Sequence, residues 1–219
     1  MKRYIILLVL TSFTLTGKAQ NIFNKQSNTG YQIDGKIIGL EDSTIMLAYY
    51  FGGKQYATDT AVVKNGNFSF KGNKELKGGM YLVVLSENKY FDLIISEQRF
   101  SFSTKLNDLV GSMNFSNTVE NPPFYEYLNF IMTMQKQVTP IRKELELAIG
   151  KKKNDLQLKA QKIDEKVRKY RNNFLKNNSN NFFSKVIIAT TEIEIPDAPL
   201  DSTGKPKENF AYLYYKKHF

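Results

Sequence analysis

The chain has 219 residues, and its 31 lysines and arginines against 21 aspartates and glutamates give a formal net charge of +10 at pH 7. It contains no cysteine and no tryptophan, and its only histidine is His218. Disulfides, thiol nucleophiles and cysteine-ligated zinc are therefore excluded within these residues. A hydrophobic content of 42% is typical of a globular protein, so wholesale disorder is not expected.

The N-terminus follows the order of a secretory signal peptide. A basic start at residues 1–3 precedes a mostly apolar run at residues 4–15, and the small residues Gly17 and Ala19 follow. The apolar run is too short to span a bilayer, which takes about twenty residues. We predict a signal peptide over residues 1–19, cleavage after Ala19, and an exported product in the periplasm or cell envelope.

Between residues 31 and 115 the sequence has the pattern of a β domain. Short segments alternate apolar and polar residues, and turn residues separate them every 8 to 12 positions or so. This pattern predicts an antiparallel β-sandwich or barrel-like domain, which we place at residues 28–118. Residues 80–85 are continuously apolar, as expected of a central strand, and Asn65-Gly66 tolerates the positive φ of a tight hairpin.

At Asn121-Pro122-Pro123 the apolar period changes from two to between three and four. Two apolar stripes, at residues 124–149 and 156–174, predict two helices that lie side by side. We expect Asn121 to cap the first helix, Pro140 to kink it, and Gly150 with the next three lysines to separate the pair. The predicted fold class is therefore α+β, a β-sandwich or barrel-like domain followed by a helical hairpin and further helices.

The helical domain is placed at residues 121–219. Its last segment, residues 208–219, has a helical pattern and no terminating signal. We therefore expect this domain to be incomplete at its C-terminus.

No motif in the sequence predicts a catalytic centre. His218 has no nucleophile or metal ligand in motif, so a packing or surface position is the ordinary interpretation. The acidic residues lack metal-loop spacing, and Gly52-Gly53 and Gly78-Gly79 precede strands, whereas a phosphate-binding glycine loop precedes a helix. We predict no catalytic, metal-binding or cofactor-binding residue, and no enzymatic activity for this chain as it stands.

Two features are candidates for partner binding. Tyr50 lies in an aromatic run that fits a platform for a sugar or peptide, and core packing explains such a run as well. Lys151, Lys152 and Lys153 belong to residues 136–176, where thirteen basic residues face five acidic ones. Such a segment fits peripheral contact with anionic lipid headgroups or acidic glycans, and a solvated helix face has the same composition. Nucleic acid is not an expected partner, because export removes the usual targets.

Three strings resemble the uncharacterised β domain at the N-terminus of periplasmic thioredoxin-like proteins, the thiol:disulfide interchange group. They are residues 39–56 (GLEDSTIMLAYYFGGKQY), residues 59–61 with 65–72 (DTA, NGNFSFKG), and residues 79–85 (GMYLVVL). Residues 121–127, 182–185 and 194–197 resemble the helical linker domain that follows it in those proteins. The resemblance implies that redox chemistry belongs to a downstream thioredoxin-like domain with two cysteines separated by two residues, which this chain lacks.

Two functions follow as hypotheses. The first is a non-catalytic cell-envelope module that positions or recruits partners for a downstream thioredoxin-like disulfide reductase domain, so that its partner is a protein or that domain. The alternative is a free-standing periplasmic or surface binding protein for a glycan, lipid headgroup or peptide, which would use Tyr50 or the three lysines.

Overall fold

The computed structural model describes residues 29–86, 88–191 and 195–218. These residues form eight strands followed by four helices, so the predicted α+β fold class is confirmed. The strands are β1 (Tyr31–Ile38), β2 (Thr44–Phe51), β3 (Lys54–Val62), β4 (Asn67–Gly72), β5 (Gly79–Ser86), β6 (Lys89–Ile95), β7 (Arg99–Lys105) and β8 (Asn114–Ser116). The helices are α1 (Asn121–Leu147), α2 (Gly150–Asn177), α3 (Phe182–Thr190) and α4 (Phe210–His218). The predicted signal peptide, residues 1–19, lies outside the described residues.

The strands form two four-stranded sheets that pack as a sandwich and do not close into a barrel. Sheet A has the order β4-β1-β7-β8, and sheet B has the order β3-β2-β5-β6. Neighbouring strands are antiparallel except for β1 and β7, which run parallel. The parallel pair differs from the antiparallel arrangement that the sequence predicts. Strands β2 to β6, which include all of sheet B, lie between β1 and β7 in the chain, and parallel neighbours need such a long connection.

The core of the sandwich lies between the two sheets. Alternate apolar side chains of both sheets meet there and are almost fully buried, among them Ile33, Ile37, Ile45, Leu47, Val83, Leu93 and Ile95. Gly35 occupies one inward position of β1, where a Cβ atom would overlap the Phe68 ring and lie 2.9 Å from the Phe102 ring. The aromatic packing of the neighbouring strands therefore requires glycine at this position.

Two short turns direct the chain through the sandwich. Gly52-Gly53, with φ of 55° and 75°, closes the hairpin between β2 and β3. Asn65-Gly66 also has positive φ at both residues, so the predicted tight turn is confirmed. It is not the turn of a paired hairpin, because beyond the Lys64–Asn67 bridge β3 pairs with β2 in sheet B while β4 pairs with β1 in sheet A. The turn therefore moves the chain from one sheet to the other.

The predicted central strand is β5, which pairs with both β2 and β6. Its continuous apolar sequence has a direct structural reason, because both faces of the strand are covered. Val83 faces the sandwich core and Leu82 faces the other side of sheet B, and both side chains are fully buried.

Helices α1 and α2 form the predicted hairpin. Met134, Val138 and Ile163 pack in the seam between them. The chain reverses at Ala148 and Ile149, which are extended, and α2 already begins at Gly150, whose φ is 57°. The predicted interruption over the lysines is therefore wrong, because the extended pair 148–149 and the positive φ of Gly150 are enough to reverse the chain. Helix α1 continues through Pro140.

A second cluster of buried residues joins the helices to the sandwich. Phe124 and Tyr125 of α1, Phe174 of α2, and Phe183 and Ile187 of α3 pack together with Ile94 of β6. Ile94 points away from the sandwich core, so the three helices rest on the outer face of sheet B at the β6 edge.

Candidate functional site

The junction between the sandwich and the helices is built around Asn121. This fully buried residue accepts a hydrogen bond at Oδ1 from the Ile94 backbone N–H (2.8 Å) and donates one from Nδ2 to the Ile94 carbonyl (2.7 Å). The predicted capping role is wrong, because Asn121 is the first residue of α1 and its side chain satisfies the free edge of β6 instead. A single amide therefore pairs with the edge strand as a backbone segment would.

Further hydrogen bonds fix the same junction. Tyr125 Oη donates to the Asp92 carbonyl oxygen (2.8 Å), and Glu120 Oε1 accepts from the backbone N–H of Phe182 (2.9 Å). The Glu97 carboxylate accepts from Thr118 Oγ1 (2.7 Å) and from the Val119 N–H (3.1 Å) in the connection that leads to α1.

The Glu97 carboxylate is ionised in this setting. Partial burial raises its pKa, but hydrogen bonds from Ser96, Thr118 and Val119 outweigh burial, so its pKa lies below the usual range. The connection between β8 and α1 is thus held to the sandwich by a charge-assisted anchor.

The outer face of sheet B beyond the helices carries a group of side chains that we call the tyrosine–aspartate face. It consists of Ala48 and Tyr50 of β2, Leu82 of β5, and Tyr90 and Asp92 of β6. Leu82 is paired with Ala48 on one side and with Asp92 on the other, so these three side chains form one row across the sheet. Tyr50 and Tyr90 are 47% and 50% exposed, whereas Leu82 is fully buried.

Asp92 is the unusual member of this face. Its Oδ1 atom is buried, and within the described part of the chain it has no hydrogen-bond partner. Burial raises the pKa of Asp92. Burial also raises the pKa of Tyr50, and the charge of Asp92 and the neighbouring Tyr90 add to that effect. The carboxylate therefore acts electrostatically on the tyrosine two strands away.

The predicted binding lysines lie at the opposite end of the molecule. Lys151, Lys152 and Lys153 form the exposed first turn of α2, at the tip of the hairpin. Helix α1 has 27 residues, so about 40 Å separates the tip from the sandwich. The structure thus brings the three lysines together with one another and does not bring them to Tyr50.

The hairpin tip, which we define as residues 147–153, combines charge with exposed apolar groups. Leu147 is 88% exposed and Ile149 is 85% exposed. Lys152 forms an ion pair with Glu144 (3.5 Å), and the first turn of α2 contains no acidic residue and no side-chain cap. Three cations at the positive end of a helix dipole are unfavourable for the isolated helix.

Sequence reasoning did not single out Asn121 as a clamp or Asp92 as a buried carboxylate. An aspartate at an outward position of a strand is ordinarily exposed to solvent, and Asp92 is partly buried only because the helices pack beside it. No local signal in residues 89–95 indicates this, because the helices that enclose the site are encoded at least 26 residues further along the chain.

The described residues contain no group of three or more histidine, cysteine, aspartate or glutamate side chains that could bind a metal ion. None of the helices over the described ranges has the length and apolar character needed to cross a membrane.

The fold and these surfaces define an α+β protein in which a β-sandwich is extended by a docked helical hairpin. Residues 31–124 match the model of a family described as a domain of unknown function (DUF4369). The matched range begins at the start of β1 and includes the first turn of α1, so the Asn121 clamp lies within it. No curated protein and no solved structure matches the chain. The sandwich is thus similar to an uncharacterised domain, and the match assigns no activity.

Proposed function

We propose that the chain is a non-catalytic module of the cell envelope that positions or recruits a protein partner for a thioredoxin-like disulfide reductase domain. The resemblance of the strand and linker strings to periplasmic thioredoxin-like proteins supports this function. The chain contains no cysteine, so a dithiol would have to come from another domain.

The junction at Asn121 is the observation that carries the proposal. A module that positions partners must hold its surfaces at a fixed separation, and the buried Asn121–Ile94 hydrogen bonds do this between the sandwich and α1. Loss of the side chain would leave two buried backbone groups unpaired, at about 1–3 kcal/mol for each group. The hairpin is therefore fixed to the sheet and does not swing from a flexible linker.

The reading frame beyond codon 219 provides the first test. We expect it to encode a domain with a Cys-x-x-Cys motif, and a stop codon directly after Phe219 would contradict the proposal. In the full-length product, Asn121→Ala should slow reduction of a protein disulfide, such as insulin, and leave reduction of oxidised glutathione unchanged. Asn73→Ala, at an exposed position, is the matched control. Equal rates on insulin for wild type and Asn121→Ala would argue against positioning.

Export is part of the same proposal. The basic start, short apolar run and small residues before Gln20 support it. Material recovered from the cell envelope should begin at Gln20 when its N-terminus is sequenced, whereas cytoplasmic protein that begins at Met1 would contradict export.

The hairpin tip favours the alternative function, a free-standing protein that binds lipid headgroups. Leu147 and Ile149 have the exposure of side chains that insert at a membrane surface, and the three adjacent lysines match anionic headgroups in charge. Each lysine near such a surface contributes about 1 kcal/mol, which is roughly fivefold in affinity.

Sedimentation with vesicles tests this alternative. The chain should bind vesicles that contain phosphatidylglycerol and not vesicles of pure phosphatidylcholine. Replacement of Lys151, Lys152 and Lys153 by glutamine, or of both Leu147 and Ile149 by serine, should abolish binding. Ile38→Ser, at an exposed residue of the sandwich, is the control and should bind as wild type does. Equal binding to neutral vesicles would contradict a headgroup-directed function.

A further inference from the structure

Asp92 lies where the helical layer ends on sheet B. Along β6 the outward side chains are Tyr90, Asp92 and Ile94, and their surroundings change from one to the next. Tyr90 is half exposed, while Ile94 is fully buried against the helices. The Tyr125 hydroxyl of α1 donates a hydrogen bond to the Asp92 backbone carbonyl (2.8 Å), so Tyr125 lies at the edge of the helical layer beside Asp92. The Asp92 carboxylate is therefore partly enclosed but remains beside an open face.

This carboxylate has no compensating partner within the described residues. Oδ1 is buried without a hydrogen bond, and the ion pairs that the structure describes do not include Asp92. A partly buried charge without a partner destabilises a fold, and native proteins pair nearly all such groups. An apolar residue at the same position would pack against Leu82 without that cost. Folding alone therefore gives no reason for an aspartate here.

The surroundings of Asp92 indicate the chemistry of a missing partner. Tyr50 and Tyr90 present half-exposed rings, and a cation within about 6 Å of a tyrosine ring is attracted to its face. Ala48 and Leu82 lie in one row with Asp92 but are 5% and 0% exposed, so a ligand would meet the two tyrosine rings and not this row. A ligand with an aliphatic stem and a cationic head would pack the stem against the exposed tyrosine rings and bring its charge to Asp92. A bare metal ion fits poorly, since a single carboxylate supplies too few oxygen ligands.

We propose that the tyrosine–aspartate face is a subsite for an arginine or lysine side chain of a protein partner, with Asp92 as the charge partner and Tyr50 and Tyr90 as the aromatic walls. The subsite needs neither a downstream domain nor the hairpin tip. A stop codon after Phe219 would thus remove the proposed reductase module and leave this subsite untouched.

Two-dimensional ¹H–¹⁵N NMR titrations of the whole chain test the subsite with matched cationic and neutral probes. Acetyl-arginine amide and acetyl-lysine amide should shift the backbone amides of Tyr50, Leu82, Tyr90 and Asp92 in a saturable manner. Acetyl-citrulline amide and acetyl-norleucine amide, which keep the stem and lose the charge, should shift them at least tenfold less at the same concentration. Equal shifts from charged and neutral probes would overturn the proposal.

Variants assign the effect to particular side chains. Asp92→Asn, which keeps shape and removes charge, should weaken binding of acetyl-arginine amide at least tenfold, and Tyr50→Leu should weaken it severalfold while Tyr50→Phe retains it. Asp34→Asn, on sheet A, is the control for net charge and should bind as wild type does. The dispersion of the NMR spectrum verifies that each variant is folded. Undiminished arginine binding by Asp92→Asn, or shifts that map to another surface, would overturn the proposal.

Discussion

The sandwich and the hairpin are both packed structures, but their cores differ in completeness. The sandwich core draws inward side chains from both sheets, and many of them have no exposed surface. Beyond its base, the hairpin buries Met134, Val138, Ala148, Leu156 and Ile163, each of which retains 6% to 9% exposure. Apolar burial is the main favourable contribution to folding, so the sandwich has the larger internal source of stability.

The difference explains where the helices dock. At the base of the hairpin, Phe124, Phe174 and Phe183 form an aromatic cluster that packs against Ile94 of the sandwich. The tip has no such support, and its side chains are mostly exposed. We conclude that the sandwich stabilises the hairpin base, while the residues of the tip contribute little to folding.

Val83→Asp should give the largest effect. Val83 is fully buried in the central strand, and a lone carboxylate there would destabilise the fold by roughly 4 kcal/mol or more. Chemical unfolding monitored by circular dichroism should show a variant that is unfolded or close to it in the absence of denaturant. A cooperative transition with the wild-type midpoint would show that the sandwich is not the stable region.

Separate expression of the two regions tests the comparison directly. Residues 28–118 should unfold cooperatively, whereas residues 121–219 alone should be only partly stable because they lack the surface around Ile94. Residues 28–124, which include the Asn121 clamp, should exceed 28–118 in stability by about 1–3 kcal/mol. A cooperative transition in the helical piece and none in the sandwich piece would reverse the assignment of stability.

Asn121→Ala should have an intermediate effect on the whole chain. It removes both hydrogen bonds to Ile94 and leaves a buried N–H and a buried carbonyl unpaired, which should lower the free energy of unfolding by a total of about 2–6 kcal/mol. Hydrogen exchange should show faster opening at Ile94 and in the first turns of α1, with little change in β1. Uniform acceleration across both sheets would mean that Asn121 supports the sandwich as a whole.

The sequence was informative wherever the structure depends on local patterns. Alternation located the strands, the 3–4 period located the hairpin stripes, and residues 80–85 revealed the central strand. The parallel pairing of β1 with β7 could not be predicted, because it depends on contacts between residues 67 positions apart in the chain. Asn121 was misassigned for a related reason: a cap and a strand clamp use the same amide groups, and only the position of β6 distinguishes them.

Candidate binding residues were predicted less completely than the fold. The exposure of Tyr50 and of the lysines agrees with their selection as surface candidates, although their binding role stays a prediction. Asp92 could not be predicted as a site residue, because its sequence context, an acidic residue in an alternating strand, is that of an ordinary solvent-facing position. Its significance arises only from helices that close over Ile94, the next outward-facing residue of β6.

Asp92→Asn should stabilise the protein modestly at neutral pH. The raised pKa of Asp92 means that the folded state binds its proton more tightly than the unfolded state does. Stability attributable to this group is therefore greatest below the unfolded pKa and declines as the pH rises through the folded pKa. The advantage of the asparagine variant should accordingly be largest at pH 7 and shrink on acidification, as measured by urea unfolding at several pH values. A variant less stable than wild type at pH 7 would indicate that a cation already pairs with Asp92.

Lys152→Glu should have the smallest effect on stability and thereby separate folding from surface function at the hairpin tip. The change removes an exposed ion pair with Glu144, and this pair contributes at most about 1 kcal/mol to stability. It also places the new carboxylate at position 152 near the Glu144 carboxylate. It also puts a negative charge at the N-terminus of α2, where the helix dipole favours it by about 0.3–1 kcal/mol.

These contributions nearly cancel, so the unfolding midpoint of Lys152→Glu should stay close to that of wild type. If the tip binds anionic headgroups, the same variant should lose affinity for phosphatidylglycerol vesicles by more than the fivefold expected for one neutralised lysine, because the charge is reversed and not merely removed. Lys36→Glu, on an exposed position of the sandwich, controls for net charge and should retain most of that affinity. Equal losses for both variants would assign vesicle binding to overall charge, and a large drop in the midpoint for Lys152→Glu would place Lys152 in the structural core of the hairpin.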